Sequence, residues 1–436
     1  MTTDPVAVVV LLGGFIGLMF LKVPVAFALA LSAFASAFVF MDFDTRMMPI
    51  MVQQMVSGIR PFNFMAIPFF IIAGNIMGEG GLGKRMIDFA DVLIGRFRGG
   101  LAMVNVLSSK FFGTVSGSVV ADTSALGTIM IPMMERQGYD KEFATANTVT
   151  SSIVGLLIPP SHNMIIFAMA AGGGVSIAAM FLAGILPAIV LGIGLMIVSY
   201  IISVKKNYPK GRKYTIKEGI VLFGHSILGI MTMVIIVGGI SSGFFTATEA
   251  SAVAVVYAFI ITFGVYREIP LKRFWGIMQK SIRTVAMVLA IIAASSAFGQ
   301  MMTILRVPDM ATNAVLSITE NPILIMLLIN LILLVLGLVM DMAPMILIST
   351  PILMPIATGV VGMHPVHFGI VLLLNLGISL ITPPVGTVLF VGASIGRTKI
   401  EDVMRPLMPY YLVMIAVLLL VTFIPPLVMW LPGFLA

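Results

Sequence analysis

Ser116-Gly117-Ser118, with Asp122-Thr123-Ser124 about one turn later, gathers hydroxyls, a side-chain-free backbone and a carboxylate within a long apolar stretch. Those groups are oxygen donors, and a hard cation takes several of them. Asp341 carries a sharper signal. It follows an unbroken run of apolar or amide residues from Pro322 to Met340, where a lone carboxylate is costly unless it is paired or ligating. Two proline pairs complete the set: Pro159-Pro160, followed by Ser161, and Pro383-Pro384, preceded by Thr382. Consecutive prolines remove two amide donors and end a helix, which frees the carbonyls of Gly155 to Ile158 and of Gly377 to Ile381. The competing reading is structural, with Ser and Gly allowing close helix packing and each aspartate capping a helix.

The surroundings decide what such groups are for. Of 436 residues, 59% are apolar and 10% charged, against roughly 25% charged in an ordinary soluble domain. At about 20 residues per crossing, that allows on the order of a dozen membrane segments, so the fold class is an all-α polytopic membrane protein. The longest polar stretch, Lys205 to Glu218, is too short for a nucleotide-hydrolysing or other extramembrane domain. Energy for transport must then come from a gradient or a partner. With no cysteine and four scattered histidines, thiol chemistry and a zinc site are not expected, and no cofactor is. The first apolar run, Val6 to Leu21, lacks a basic flank and a cleavage site, and reads as a retained helix. The net charge of +7 is a topology signal in a lipid bilayer, not a nucleic-acid footprint. The 35 methionines read as adaptable helix packing.

Continuous helices are expected near 5–21, 24–40, 62–78, 177–204, 219–241, 244–266, 284–305 and 409–431, with an interfacial helix over 82–98. Two further stretches, 101–134 and 323–355, are interrupted at Ser116-Gly117-Ser118 and around Asp341, and read as re-entrant hairpins. The runs 143–172 and 366–395 read as helices broken at the proline pairs, because neither half is long enough to span alone. These features recur at an offset close to 224 residues: Pro159 and Pro383, Gly138 and Gly362 are each 224 apart. That is the mark of a two-repeat transporter. Segment 79–100 carries Lys84, Arg85, Arg96 and Arg98, while its counterpart 306–322 carries Arg306 with Asp309 and Glu320. The repeats are therefore inverted in the membrane. One path puts every basic cluster inside: N-terminus outside, 43–59 outside, 79–100 inside, Ala171 to Gly174 outside, 205–217 and 267–283 inside, 306–322 outside, and Arg397, Lys399 and Arg405 inside. The chain divides into scaffold helices 1–61, a first repeat 62–172, scaffold helices and loops 173–283, a second repeat 284–395, and a C-terminal helix 396–436.

Irregular backbone at membrane depth survives only where protein covers it or a site uses it. Opposed hairpins bring their tips near the midplane, where half-helix N-termini suit an anion and freed carbonyls suit a cation. One cation site per repeat is expected. The first would use Ser116, Gly117, Ser118, Gly155 and Ile158; the second, Gly337, Asp341, Ala343, Gly377 and Thr382. An anion between them would meet Ser118, Asp122, Pro160, Ser161, Pro384 and Gly386.

The chain resembles the large membrane subunit of the tripartite ATP-independent periplasmic (TRAP) transporters over essentially its whole length. The matching stretches are Phe111-Phe112-Gly113, Ser116-Gly117-Ser118, Ile131-Pro132, Gly138-Tyr139-Asp140, Phe143-Ala144, Ile158-Pro159-Pro160-Ser161, Phe181-Leu182-Ala183-Gly184, Pro187, Asp341, and Leu380-Ile381-Thr382-Pro383-Pro384-Val385-Gly386. The resemblance implies sodium-driven import of organic acids through the bacterial inner membrane, an elevator motion, delivery by a periplasmic binding protein, and a small four-helix membrane subunit bound to the scaffold. His162-Asn163 after Pro-Pro-Ser departs from many members and looks like the sialic-acid type, against C4-dicarboxylates or other sugar and keto acids. Two other functions compete. An intramembrane protease would need Asp122 and Asp341 as a dyad, or Ser116 as nucleophile, yet neither has the required sequence frame. A channel would carry passive flux far above carrier turnover.

Overall fold

The computed structural model describes residues 4–172, 174–384 and 386–435; Gly173, expected in an outer turn, and Val385, expected at the second break, lie outside the described residues. Helices dominate, and the isolated Arg98–Lys210 bridge is the one β-type pairing among the described residues. The chain opens with α1 (Pro5–Phe20) and α2 (Val25–Phe40). Asp4 starts α1, its Oδ1 accepting from the Val6 and Ala7 amides at 2.9 and 3.3 Å. The segment 43–59, expected as an outer connection, holds the helix α3 (Met48–Ile59). Pro61 breaks it, a tight turn Phe62–Met65 follows, and α4 (Ala66–Glu79) continues the crossing. The amphipathic α5 (Leu82–Ile94) buries Leu82, Met86, Ile87 and Ala90.

Next come the first hairpin, α6 (Gly100–Ser116) and α7 (Val119–Arg136), and the first broken helix, α8 (Lys141–Leu156) and α9 (His162–Ala170). The crossings α10 (Ile177–Lys205), α11 (Ile216–Ser241) and α12 (Ala247–Phe259, wound wider through Tyr266) lead to α13 (Phe274–Ile304). Capping boxes Thr215/Glu218 and Thr246/Glu249 start α11 and α12. Then follow α14 (Val307–Ile318), the second hairpin α15 (Pro322–Gly337) and α16 (Met342–Pro355), the second broken helix α17 (Pro365–Ser379) and α18 (Thr387–Gly396), and α19 (Ile400–Phe423).

Three boundaries differ from expectation. α13 starts ten residues before 284, because Arg273 and Lys280 reach Glu79 at 3.4 and 3.6 Å and need not lie in a loop. α19 starts at Ile400 and not 409, running through Pro406 and Pro409, and stops before Pro425-Pro426. The segment 306–322, expected as an outer connection, contains α14, the counterpart of α5. Every element from α3 to α10 thus has a partner from α13 to α19 near the same offset, with one exception. The jointed pair α3 and α4 matches the single unbroken α13.

Apolar packing falls into two cores. One joins α1, α2, α3, the end of α13 and the start of α14 through Leu11, Phe15, Leu29, Met51 and Phe298. The other runs through the hairpins, the broken helices, α4, α5, α10, α12 and α19. At its centre, α8 is buried from Phe143 to Leu156 despite Thr145, Asn147, Thr148, Thr150, Ser151 and Ser152, and α17 is buried from Val366 to Ser379. Between helices in lipid, small residues and side-chain hydrogen bonds carry the packing. Asn105 of α6 donates to Asn147 Oδ1 (3.0 Å) and Thr148 Oγ1 (2.7 Å), and Asn147 donates to Ser199 of α10 and Tyr410 of α19. In the other repeat, Asn375 donates to Asn330 Oδ1 at 2.9 Å, and Asn330 to Thr422 Oγ1 at 3.2 Å.

The basic segments meet at one end of the molecule. Arg85 pairs with Glu268 at 2.6 Å and lies over the Tyr266 ring, Gly99 donates its amide to Pro209 O, and Lys206 pairs with Asp140. The Lys206 ammonium, hydrogen-bonded to Asp140, holds that carboxyl below the ordinary range, so this contact is present at neutral pH and lost as pH falls through the depressed value. Tyr208 inserts between Tyr139 and Phe143, with ring centroids 4.4 and 5.3 Å away. Tyr214 donates to Asp91 Oδ2 at 2.5 Å; burial raises the Asp91 carboxyl, and this hydrogen bond opposes the rise. Tyr214→Phe leaves that half-buried carboxylate short of its donor and should cost about 1–3 kcal/mol, read as a lower melting midpoint in detergent at neutral pH. An unchanged midpoint would mean water replaces the donor.

Candidate functional site

The first hairpin reaches the first break through glycine. Gly117 takes φ +56, closing α6, and a Cβ there would stand 2.6 Å from Pro160 O and 3.1 Å from Ser161 Cα. Lower down, Gly113 of α6 meets Gly155 of α8 with no clearance: a Cβ on Gly113 would lie 2.3 Å from Gly155 Cα. Tip and break are therefore in backbone contact. The return helix α7 starts at Ser118, whose Oγ accepts from the Ala121 amide at 3.4 Å.

One turn into α7 lies Asp122. It is buried; the Ser109 hydroxyl acts on its carboxylate, but neither carboxylate oxygen makes a close hydrogen bond. Oδ2 approaches Gly155, standing 3.2 Å from the position of a Cβ there, and the Ser109 carbonyl comes to 3.0 Å of the same point. The hydroxyls of Ser109, Ser116 and Ser161 are buried without partners as well. Buried polar groups are nearly always paired, and an isolated buried charge is far costlier than an isolated hydroxyl. Buried oxygens near a carboxylate at the contact of hairpin and break suit a cation. Ile158 is buried and donates its amide to Gly155 O at 3.3 Å, while the Leu157 carbonyl faces Gly184 of α10.

The second repeat is arranged differently. Asp341 is exposed and caps α16, its Oδ1 accepting from the Met342 amide at 2.9 Å. Gly337 packs on Ser379 of α17, whereas Gly377 faces Ile153 and Leu156 of α8. Thr382 donates to Ile378 O at 2.8 Å, and the Ile381 carbonyl accepts from Tyr411 Oη at 2.6 Å. Ala343 is half-buried one residue inside α16. Of the residues expected against the anion, Ser118, Asp122, Pro160 and Ser161 come together at the first tip. Pro384 is exposed and Gly386 buried at the second break, where Gly386 lies against Thr382 O.

The repeats interlock. Both halves of each hairpin pack on their own repeat's broken helix, α6 and α7 on α8 and α15 and α16 on α17, and the return halves also reach the other repeat's, α7 meeting α18 and α16 meeting α9. Between α7 and α18 lies a shallow cavity of about 410 Å³ bearing Ser124, Thr128 and Ser394 hydroxyls with Phe390, Val391 and Ile395. Sequence reasoning missed Ser109, Thr387 and Lys110. Ser109 and Thr387 look like ordinary helix residues until burial leaves their hydroxyls unpartnered. Lys110 gave a usable signal, a lone cation in a hairpin helix; it is half-buried and outside the ion pairs formed among the described residues.

Comparison with known proteins bears on the same architecture. Residues 12–427 match the family described as the tripartite ATP-independent periplasmic transporter, DctM component. YgiK of Salmonella typhimurium, an uncharacterized protein, is 41% identical, with 98% of each chain covered. The 2,3-diketo-L-gulonate TRAP transporter large permease protein YiaN of Escherichia coli is 36% identical over 97% of this chain and 98% of that one. The sialic acid TRAP transporter large permease protein SiaM of Vibrio cholerae is also 36% identical, over 96% and 97%. Among solved structures, the YdaH transporter of Alcanivorax borkumensis shares the fold with a TM-score of 0.62 at 12% identity, covering 90% of both chains.

Proposed function

Because the chain belongs to the DctM family, the large membrane component of tripartite ATP-independent periplasmic transporters, we propose that it imports an organic acid anion by sodium symport. It is a multi-pass transporter component and not an enzyme. The observation that carries the coupling is the buried Asp122 carboxylate against Gly155, with the buried hydroxyls of Ser109, Ser116 and Ser161 on the same hairpin and break where the two touch. Sodium there supplies the missing charge and fixes the tip, preparing the half-helix N-termini at Ser118 and Ser161 for the substrate carboxylate. A second sodium belongs at the other tip, on Asp341 with the backbone of Gly337 and Ala343.

The hairpins and broken helices move as one body in an elevator motion, an inference supported by their cross-repeat packing. Substrate comes from a periplasmic binding protein docking near 172–176 and 356–367, and a small four-helix membrane subunit binds the scaffold. Sialic acid is the first substrate to test, from the His162-Asn163 signature. YiaN and SiaM are equally similar to this chain, so 2,3-diketo-L-gulonate belongs in the same panel.

The test is uptake into proteoliposomes holding all three components under an imposed sodium or proton gradient. Saturable uptake driven by sodium is expected; uptake driven by protons alone, or passive flux without a gradient, would overturn the coupling. Ser118→Ala and Asp341→Ala should each raise the sodium concentration for half-maximal uptake about three- to tenfold, the loss of one oxygen ligand among several. Unchanged sodium dependence in both assembled variants would leave capping and packing as their only roles. The N-terminus lies in the periplasm and 205–217 in the cytoplasm. A cysteine at exposed Asn207 should therefore resist impermeant reagents in intact cells, and labelling from outside would reverse the orientation.

A further inference from the structure

At the basic end of α12 the helix widens over Ile260–Tyr266 and then reverses at Arg267, which takes φ +52 and donates its amide to Thr262 O. The reversal leaves an open groove of about 550 Å³ lined by Phe259, Ile260, Phe263, Gly264, Arg267, Ile269 and Leu271. Two of its walls are aromatic, Phe259 and Phe263, 5.0 Å apart between ring centroids and each meeting Phe274 edge-on behind them at 5.5 and 5.9 Å. Nothing fills it from within: a Cβ on Gly264 would meet no atom within 4 Å.

The rim is cationic. Arg267 is exposed, its Nε donating to Gly264 O at 2.7 Å, and exposed Lys272 follows Leu271 of the lining in sequence; neither forms an ion pair among the described residues. The nearest acid in sequence, Glu268, is taken by Arg85 at 2.6 Å. Phe244 and Trp430, by contrast, are exposed apolar residues with no cation beside them in sequence. Apolar depth, a free guanidinium at its mouth and a place at the end where the basic loops gather describe one ligand, a lipid with an anionic head. A zwitterionic head brings its own cation and would meet Arg267 and Lys272 with repulsion that an anionic one lacks.

We propose that this groove binds an anionic phospholipid, an acyl chain against Phe259, Phe263 and Ile269 and the phosphate on Arg267. The site lies apart from the hairpins and does not depend on the coupling ion. Trp275, exposed and stacked edgewise on Phe274 at 6.1 Å, is a reporter, and the chain has one other tryptophan, Trp430. In a Trp430→Phe background, the full chain is reconstituted in vesicles of phosphatidylcholine with increasing brominated phosphatidylglycerol, or the reverse. Half-quenching of Trp275 should need an about fivefold lower fraction of the brominated anionic lipid.

Arg267→Gln should bring the two titrations together, and Gly264→Leu, which adds its side chain in the empty groove, should weaken quenching by both. Equal titrations in the parent, or a preference untouched by both substitutions in folded protein, would overturn the proposal. So would protection of Trp275 from both lipids by a co-reconstituted, tryptophan-free small membrane subunit, which would place protein and not lipid in the groove.

Discussion

Asp122→Asn should make the sodium-free protein more stable and abolish its transport. The asparagine keeps the shape of the side chain and removes a carboxyl that, enclosed and without sodium, must carry an unpaired charge or take up a proton. An unsatisfied buried polar group costs about 1–3 kcal/mol, and the asparagine relieves part of it. The melting midpoint in sodium-free detergent should therefore rise, and the further rise on adding sodium, present in the parent, should shrink. Uptake should fall at least about a hundredfold, the equivalent of roughly 3 kcal/mol. The two effects in opposite directions distinguish a cation site from a packing role, in which stability and transport fall together. An Asp122→Asn protein that transports with parental sodium dependence would end the assignment.

Gly113→Val should unseat the first hairpin. The new Cβ would stand 2.3 Å from Gly155 Cα and 2.6 Å from its carbonyl oxygen, and backbone on both sides leaves no side chain to move aside. Overpacking in a well-filled core costs about 1–3 kcal/mol, and with backbone as the obstacle about 3 kcal/mol or more is expected. The midpoint should drop sharply, and uptake should be lost even in the fraction that folds. Gly224→Ala is the control: its Cβ meets nothing within 4 Å on α11, and its midpoint should hold or rise slightly. A Gly113→Val protein with a parental midpoint would show that α6 and α8 are not held in contact.

The hairpins and breaks were legible because each interruption is local chemistry. Pro159-Pro160 and Pro383-Pro384 stop helices whatever surrounds them, and Gly117 supplies a left-handed turn. α3 and α14 were not, since 48–59 and 307–318 mix polar residues into segments too short to read as crossings. The two aspartates show the limit more sharply. By its apolar upstream run Asp341 looked the more costly carboxylate, yet it is exposed at a helix cap, while Asp122, set among hydroxyls, is enclosed. Apolarity along one strand of chain says how deep a residue lies in the membrane. What covers it comes from another helix, and for Asp122 the cover is α8, brought in by the Gly113–Gly155 contact.

The two halves of the molecule match in order but not in stiffness. On one side the hairpin hangs from α3 and α4, jointed at Pro61; on the other it hangs from α13, a 31-residue rod without a break. A load carried between a strut and an elbowed limb does not travel along a straight line. If the hairpins move against α1 and α2 as proposed, the strut fixes a radius and the elbow takes up the difference, giving the motion a swing with Arg60 to Phe62 as its pivot. The duplication that made the chain symmetric in architecture has left it lopsided as a machine.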